Sequence, residues 1–190
     1  ALTKHEATIL KNDWVGGVIL FSRNYESIDQ LRELCRSIKE IKQPRLFICV
    51  DQEGGTVQRF KKGFSLLPSA KSISEIFRYS PQLAIEKGIA YGKVMAEELL
   101  DAGIDLSLAP VLDIYQPGTQ FMQDRAFGED DDSVTQLGMA YCVGMKKAGM
   151  CCVGKHFPGH GGAFGDTHLN TVQDERSYAT ISSRDLIPFI

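Results

Sequence analysis

Between Lys155 and His168 the sequence sets a lysine, three of the chain's four histidines and an aspartate within fourteen residues. The order is Lys155-His156-Phe157-Pro158-Gly159-His160-Gly161, then, after a four-residue spacer, Asp166-Thr167-His168. Lysine donates three hydrogen bonds and imidazole donates or accepts near neutral pH, so these residue types suit polar recognition, proton transfer or metal binding. Asp166 and His168 stand two apart, on one side of an extended loop, where the carboxylate can orient the imidazole. A histidine so held can give a proton to a leaving group and take one back from water. Each residue also has a plain structural reading: His156 as a hydrogen-bonded core histidine, Lys155 as a helix-end cation, His160 as a shaper of the loop. Pro158 and the glycines Gly159, Gly161, Gly162 and Gly165 make this a loop, so the helical histidine spacing of a zinc protease is not available.

A second group, Asp51-Gln52-Glu53-Gly54-Gly55, follows the apolar run Leu46 to Val50. Two carboxylates at a strand end can bind polar ligands or act as a retaining glycosidase pair, and the double glycine permits a turn with positive φ. Arg59 and Arg125 are further candidate donors; the alternative for Arg125 is an ion pair with Asp124 or Asp130. Asp105 and Asp113 read as structural, as turn residues or arginine partners.

These groups must be delivered by the elements before them. Gly16 to Phe21, Leu46 to Val50, Ile104 to Ala109 and Met150 to Lys155 read as buried strands. Helices are expected from Ile28 to about Ile41, behind a Ser27-x-x-Gln30 capping box, and from Ser80-Pro81 to Gly103. A further helix is expected from about Ser133 to Ala148. Leu2 to Leu10 reads as the end of a helix, and Ser182-x-x-Asp185 as the start of another. Strands alternating with helices predict a parallel sheet covered on both faces, either doubly wound or part of a barrel. Polar residues after several strands favour the barrel, which needs about 250 residues to close.

Composition narrows the partners. The chain has 190 residues, 43% hydrophobic and 24% charged, with net charge -3, and carries no basic block fit for nucleic acid or an anionic membrane. Apolar runs such as Val15 to Phe21 fall far short of the roughly 18 residues that span a bilayer. Five cysteines inside apolar patterns predict buried thiols in a reducing compartment, the cytoplasm, and not a disulfide framework.

Five segments spread over nearly the whole chain carry a resemblance. They are V-G-G-V-I-L-F-S-R-N from Val15, V-D-Q-E-G-G-T-V-Q-R-F from Val50, L-S-L-A-P-V-L-D from Leu106, D-R-A-F from Asp124, and K-H-F-P-G-H-G-x4-D-T-H from Lys155. In this order they resemble the family 3 glycoside hydrolases, specifically the β-N-acetylglucosaminidase branch of bacterial cell-wall recycling. The resemblance implies a (β/α)8 TIM-type barrel, of which residues 1–190 form a single partial catalytic domain covering roughly strands 2 to 5. It implies retaining hydrolysis of terminal non-reducing β-linked N-acetylglucosamine from peptidoglycan-derived muropeptides. No cofactor and no metal are implied, and the partner is a small N-acetylglucosaminyl glycoside. Carried over residue by residue, Lys155 and His156 bind sugar hydroxyls, and Asp51 accepts from hydroxyls deep in the subsite. Arg59 and Arg125 donate to the sugar and its N-acetyl carbonyl. His168, oriented by Asp166, serves as acid and base where most glycosidases use a carboxylic acid. The family's nucleophile, an aspartate after a late strand, falls beyond Ile190.

Three positions depart from the pattern: Thr56 where arginine is common, Thr167 where serine is common, and Gln123 where glycine is usual. The last bears on the loop that holds Arg125. Two other readings compete. One is a β-glucosidase or β-xylosidase of the same family, whose branch typically lacks the aspartate-histidine loop. The other is a truncated, non-catalytic sugar-binding chain. A barrel portion with open sheet edges is expected to be marginal or oligomeric when isolated.

Overall fold

The computed structural model describes residues 2–163 and 171–190. Helix α1 (Lys4–Leu10) is a complete short helix, not the tail of one. Thr3 accepts from the Glu6 N–H at 3.2 Å while the Glu6 carboxylate accepts from the Thr3 N–H at 2.8 Å, which closes a capping box. Strand β1 (Gly17–Leu20) leads to helix α2 (Ile28–Lys39), started by the Ser27 hydroxyl on the Gln30 N–H. Strand β2 (Phe47–Val50) runs parallel to β1 with Ile19 opposite Cys49, and β5 (Leu106–Ser107) lies parallel on the other side of β2. Directly after β2, the hairpin of β3 (Gln52–Gly54) and β4 (Val57–Gln58) turns through Gly54 and Gly55, both at positive φ as the double glycine predicts. Helices α3 (Ala70–Phe77), α4 (Pro81–Asp101) and α5 (Asp131–Lys147) complete the main layer.

Among the described residues the sheet is covered on one face only, where the sequence predicts coverage on both. Leu20, Ile48 and Val50 are buried, whereas Ile19 and Phe47 on the opposite face are 50% and 61% exposed. Side chains alternate across a strand, so the helices all lie over the first face. A doubly wound sheet covers both faces; a barrel keeps its helices outside and fills its interior with side chains from the other strands.

Two predicted strands are shorter in hydrogen-bond terms. The third is paired only at Leu106–Ser107, because the Asp105 carboxylate takes the Ile48 N–H at 2.8 Å and Pro110, lacking an N–H, ends the ladder. Of the expected Met150 to Lys155 strand, only Lys155 makes a parallel bridge, to Val111. The segment nevertheless runs alongside, donating Val153 N–H to the Ala109 carbonyl at 2.9 Å and Lys155 N–H to that of Pro110 at 3.1 Å. Helix α5 begins at Asp131, two residues before the expected start, because Asp130 caps it through the Ser133 N–H at 2.8 Å. The last helical turns begin at Tyr178, not near Ser182, behind a Ser177 cap. All five cysteines are free; Cys35 is buried, but Cys151 is exposed, against the expectation of uniform burial.

Candidate active site

Parallel strands deliver their C-terminal ends to one rim, where Asp51, Arg59, Arg125, Lys155 and His156 meet. Asp51 leaves β2; Lys155 and His156 arrive beside Val111 and Leu112, past the end of β5. Lys155 Nζ lies 2.7 Å from Asp51 Oδ1 and 2.6 Å from Glu53 Oε1. Glu53 is grasped in turn by Arg125, with Nε on Oε2 and Nη2 on Oε1, both at 2.8 Å. Arg59 Nη2 faces Asp51 Oδ2 at 3.4 Å. Glu53 is the most enclosed member, with a side chain 7% exposed.

Three cations, Lys155, Arg125 and the more exposed Arg59, surround the two largely buried carboxylates, and removing one partner leaves an uncompensated buried charge. Burial works against ionised Asp51, but the hydrogen bond and charge of Lys155, aided by Arg59, outweigh it and hold the carboxyl below its ordinary range. Burial likewise opposes the charge on Arg125, and the paired oxygens of Glu53 overcome it. Arg125 therefore pairs with neither Asp124 nor Asp130. Glu53, weighed as a catalytic carboxylate, instead has both oxygens taken by Arg125 and Lys155, and acts as the counter-ion that aims them.

His156 is organised from below by a residue read in the sequence as merely structural. Asp113 is fully buried and its carboxylate lies 2.6 Å from His156 Nδ1. It also accepts the backbone N–H of His156 at 3.3 Å and of His160 at 2.6 Å. A carboxylate only accepts, so Nδ1 carries a proton, and Nε2 is the ring nitrogen not engaged by Asp113. Asp113 lies on the extended piece Val111 to Ile114, just beyond Pro110, and only the spatial approach of residues 155–160 reveals its role. His160 packs its ring 5.3 Å from that of Phe121, which agrees with a loop-shaping part. Asp166 and His168 lie outside the described residues.

The site can thus present a lysine, a histidine ring nitrogen, an ionised aspartate and arginine N–H groups to a polar ligand. A family model described as the glycosyl hydrolase family 3 N terminal domain matches residues 1–190. The chain is 46% identical over 189 residues to a protein of Hydrogenovibrio crunogenus named beta-hexosaminidase, covering 100% of this chain and 53% of that protein. It is 45% identical to a beta-hexosaminidase of Nitrosomonas eutropha, over 99% of this chain and 54% of the relative. Among solved structures, native NagZ from Neisseria gonorrhoeae superposes with a TM-score of 0.94 at 41% identity, over 99% of this chain and 55% of that one. The same enzyme in complex with N-trifluoroacetyl-D-glucosamine gives a TM-score of 0.95. The chain therefore spans about half the length of the relatives it matches. With the match running from its first residue to its last, it belongs to the glycosyl hydrolase family 3 N-terminal domain family, and its fold is barrel-like of the TIM type.

Proposed function

We propose that the protein to which this chain belongs is a retaining β-N-acetylhexosaminidase. It removes terminal non-reducing β-linked N-acetylglucosamine, with peptidoglycan-derived muropeptides as substrates. The observation that carries the reading is the Lys155-Asp51-Glu53-Arg125 network beside His156, set on the rim where barrel enzymes do chemistry. Relatives at 43–47% identity carry the name beta-hexosaminidase, and a 41%-identical neighbour was solved with an N-acyl glucosamine. In this reading Lys155 and His156 hold ring hydroxyls, Asp51 accepts from them, and Arg59 and Arg125 donate to the sugar and its N-acetyl carbonyl. His168, oriented by Asp166, protonates the departing oxygen and then activates water. The nucleophile is assigned to no residue of this sequence. The four strand segments are the second to fifth strands of one barrel domain, to which residues 1–190 all belong. No helix among the described residues is long and apolar enough to cross a membrane, and the free thiols suit a cytoplasmic enzyme.

The test is made in the full-length protein. His168→Ala lowers kcat/KM about 100-fold or more for N-acetylglucosaminides with poor leaving groups and spares activated aryl glycosides. Faster hydrolysis of an aryl glucoside than of the matching N-acetylglucosaminide assigns the enzyme to the glucosidase branch instead.

A further inference from the structure

Residues 164–170, Asp166 and His168 among them, are bracketed in the sequence by Gly162 and Arg176, and those two brackets touch. A β-carbon at Gly162 would lie 2.4 Å from Arg176 Cζ and 2.5 Å from its Nη1, so the guanidinium lies directly against the Gly162 backbone. The guanidinium is gripped by two carboxylates. Its Nε and Nη2 bind Asp174 at 2.9 and 2.7 Å, and its Nη1 lies 2.9 Å from both oxygens of Asp185. Asp185 is fully buried and the Arg176 side chain is 18% exposed. Asp185 also seats the incoming arm, since a β-carbon at Gly159 would lie 2.6 Å from Asp185 Cβ. Between these contacts His160 gives its backbone N–H to Asp113 at 2.6 Å, so residues 159–162 are held from two sides. An arginine shared by two carboxylates, one of them fully buried, carries a desolvation cost that a surface contact would not.

We propose that Arg176 is a positioning residue for the acid–base pair: by joining Gly162 to Asp174 and Asp185 it fixes the two ends of the loop that carries Asp166 and His168. This rests on the reading of His168 given above. The planar fork matters, because it reaches two carboxylates while lying against the glycine backbone; lysine offers one point charge.

The experiment uses the full-length protein with Arg176→Ala, Arg176→Lys and, in parallel, His168→Ala. Rates are read as kcat/KM on N-acetyl-β-glucosaminides of phenol and of 2,4-dinitrophenol, the second needing no protonation to depart. Arg176→Ala should lose about 100-fold on the phenyl substrate and less than about threefold on the dinitrophenyl one, with Arg176→Lys between it and the parent. Hydrogen exchange should quicken at the amides of Gly159 and Ala163, which are bonded to the carbonyls of His156 and His160 at 2.8 and 3.2 Å, and stay unchanged in α4 and α5. Equal loss on both substrates, unchanged rates, or unchanged exchange at 159–163 would each overturn the proposal. If His168→Ala shows no leaving-group dependence, the acid–base reading has failed. The clamp is then decided by the exchange data alone, and unaltered exchange at Gly159 and Ala163 rejects it.

Discussion

At the scale of single residues, the site is a set of cations and imidazoles held by carboxylates that do not all face the ligand. Asp51 has an edge toward the rim, whereas Glu53 and Asp113 act from beneath, one aiming Lys155 and Arg125, the other aiming His156. Asp113 gives the sharpest test. Asn at this position keeps the shape but loses the charge and turns an amide N–H toward a neighbour that is itself a donor. Three donors, two backbone and one ring, now share the acceptors of one carboxylate, and charge-assisted bonds of this kind contribute about 1.5–3 kcal/mol each. Asp113→Asn in the full-length protein is expected to lower kcat/KM about 10- to 100-fold, the equivalent of losing one such bond. Nitrogen-15 spectra should show His156 no longer protonated solely on Nδ1. A variant that keeps both the Nδ1–H tautomer and the parental rate would remove Asp113 from any orienting role.

At the scale of elements, the helices that support the rim pack through glycine. A β-carbon at Gly144 would stand 2.1 Å from the Ile89 carbonyl oxygen, and one at Gly92 would stand 2.3 Å from that of Tyr141, so α4 and α5 approach backbone to backbone. In an exposed helix Gly→Ala gains about 1 kcal/mol from propensity. Here the overlap with backbone has to push the helices apart, and overpacking costs about 1–3 kcal/mol, so the sign reverses. Gly144→Ala should lower the urea midpoint of the protein; a raised midpoint would mean that the helices do not meet at that residue. The same helices show what the sequence discloses and what it hides. Pro81 and the apolar stripe disclose α4, and Ser27 discloses α2, because caps and periodicity are local. The meeting of Gly92 with Tyr141, the shortening of the third strand by the Asp105 side chain, and the start of α5 at Asp131 behind the Asp130 cap depend on partners distant in sequence or on competing caps. The site divides in the same way. Lys155, His156 and Asp51 stand out by type and by their place at strand ends. Asp113, an ordinary aspartate past a proline, acquires meaning only when residues 155–160 fold over it.

At the scale of the whole molecule, one face of the sheet carries the argument. Ile19 on β1 and Phe47 on β2 project away from the helices, half or more exposed, while their neighbours Leu20 and Ile48 lie in the core. Beside β1, a cavity of about 390 Å³ runs between α1 and α2, lined by Val18, Leu20 and Leu34 together with Glu6, Arg23 and Glu26. An apolar sheet face and a strand edge of this kind invite other chains. If the face is the interior of a barrel, one substitution must act in opposite directions in two settings. In the isolated 190-residue polypeptide, Phe47→Lys places a charge on an open apolar face and should reduce self-association in sedimentation experiments and weaken the binding of apolar dyes. In a chain that carries the remaining strands, the same lysine is buried among interior side chains without a partner and should destabilise the fold by several kcal/mol. Phe47→Lys that leaves the longer chain as stable as its parent would place this face on the outside and remove the barrel interior from the description of the fold.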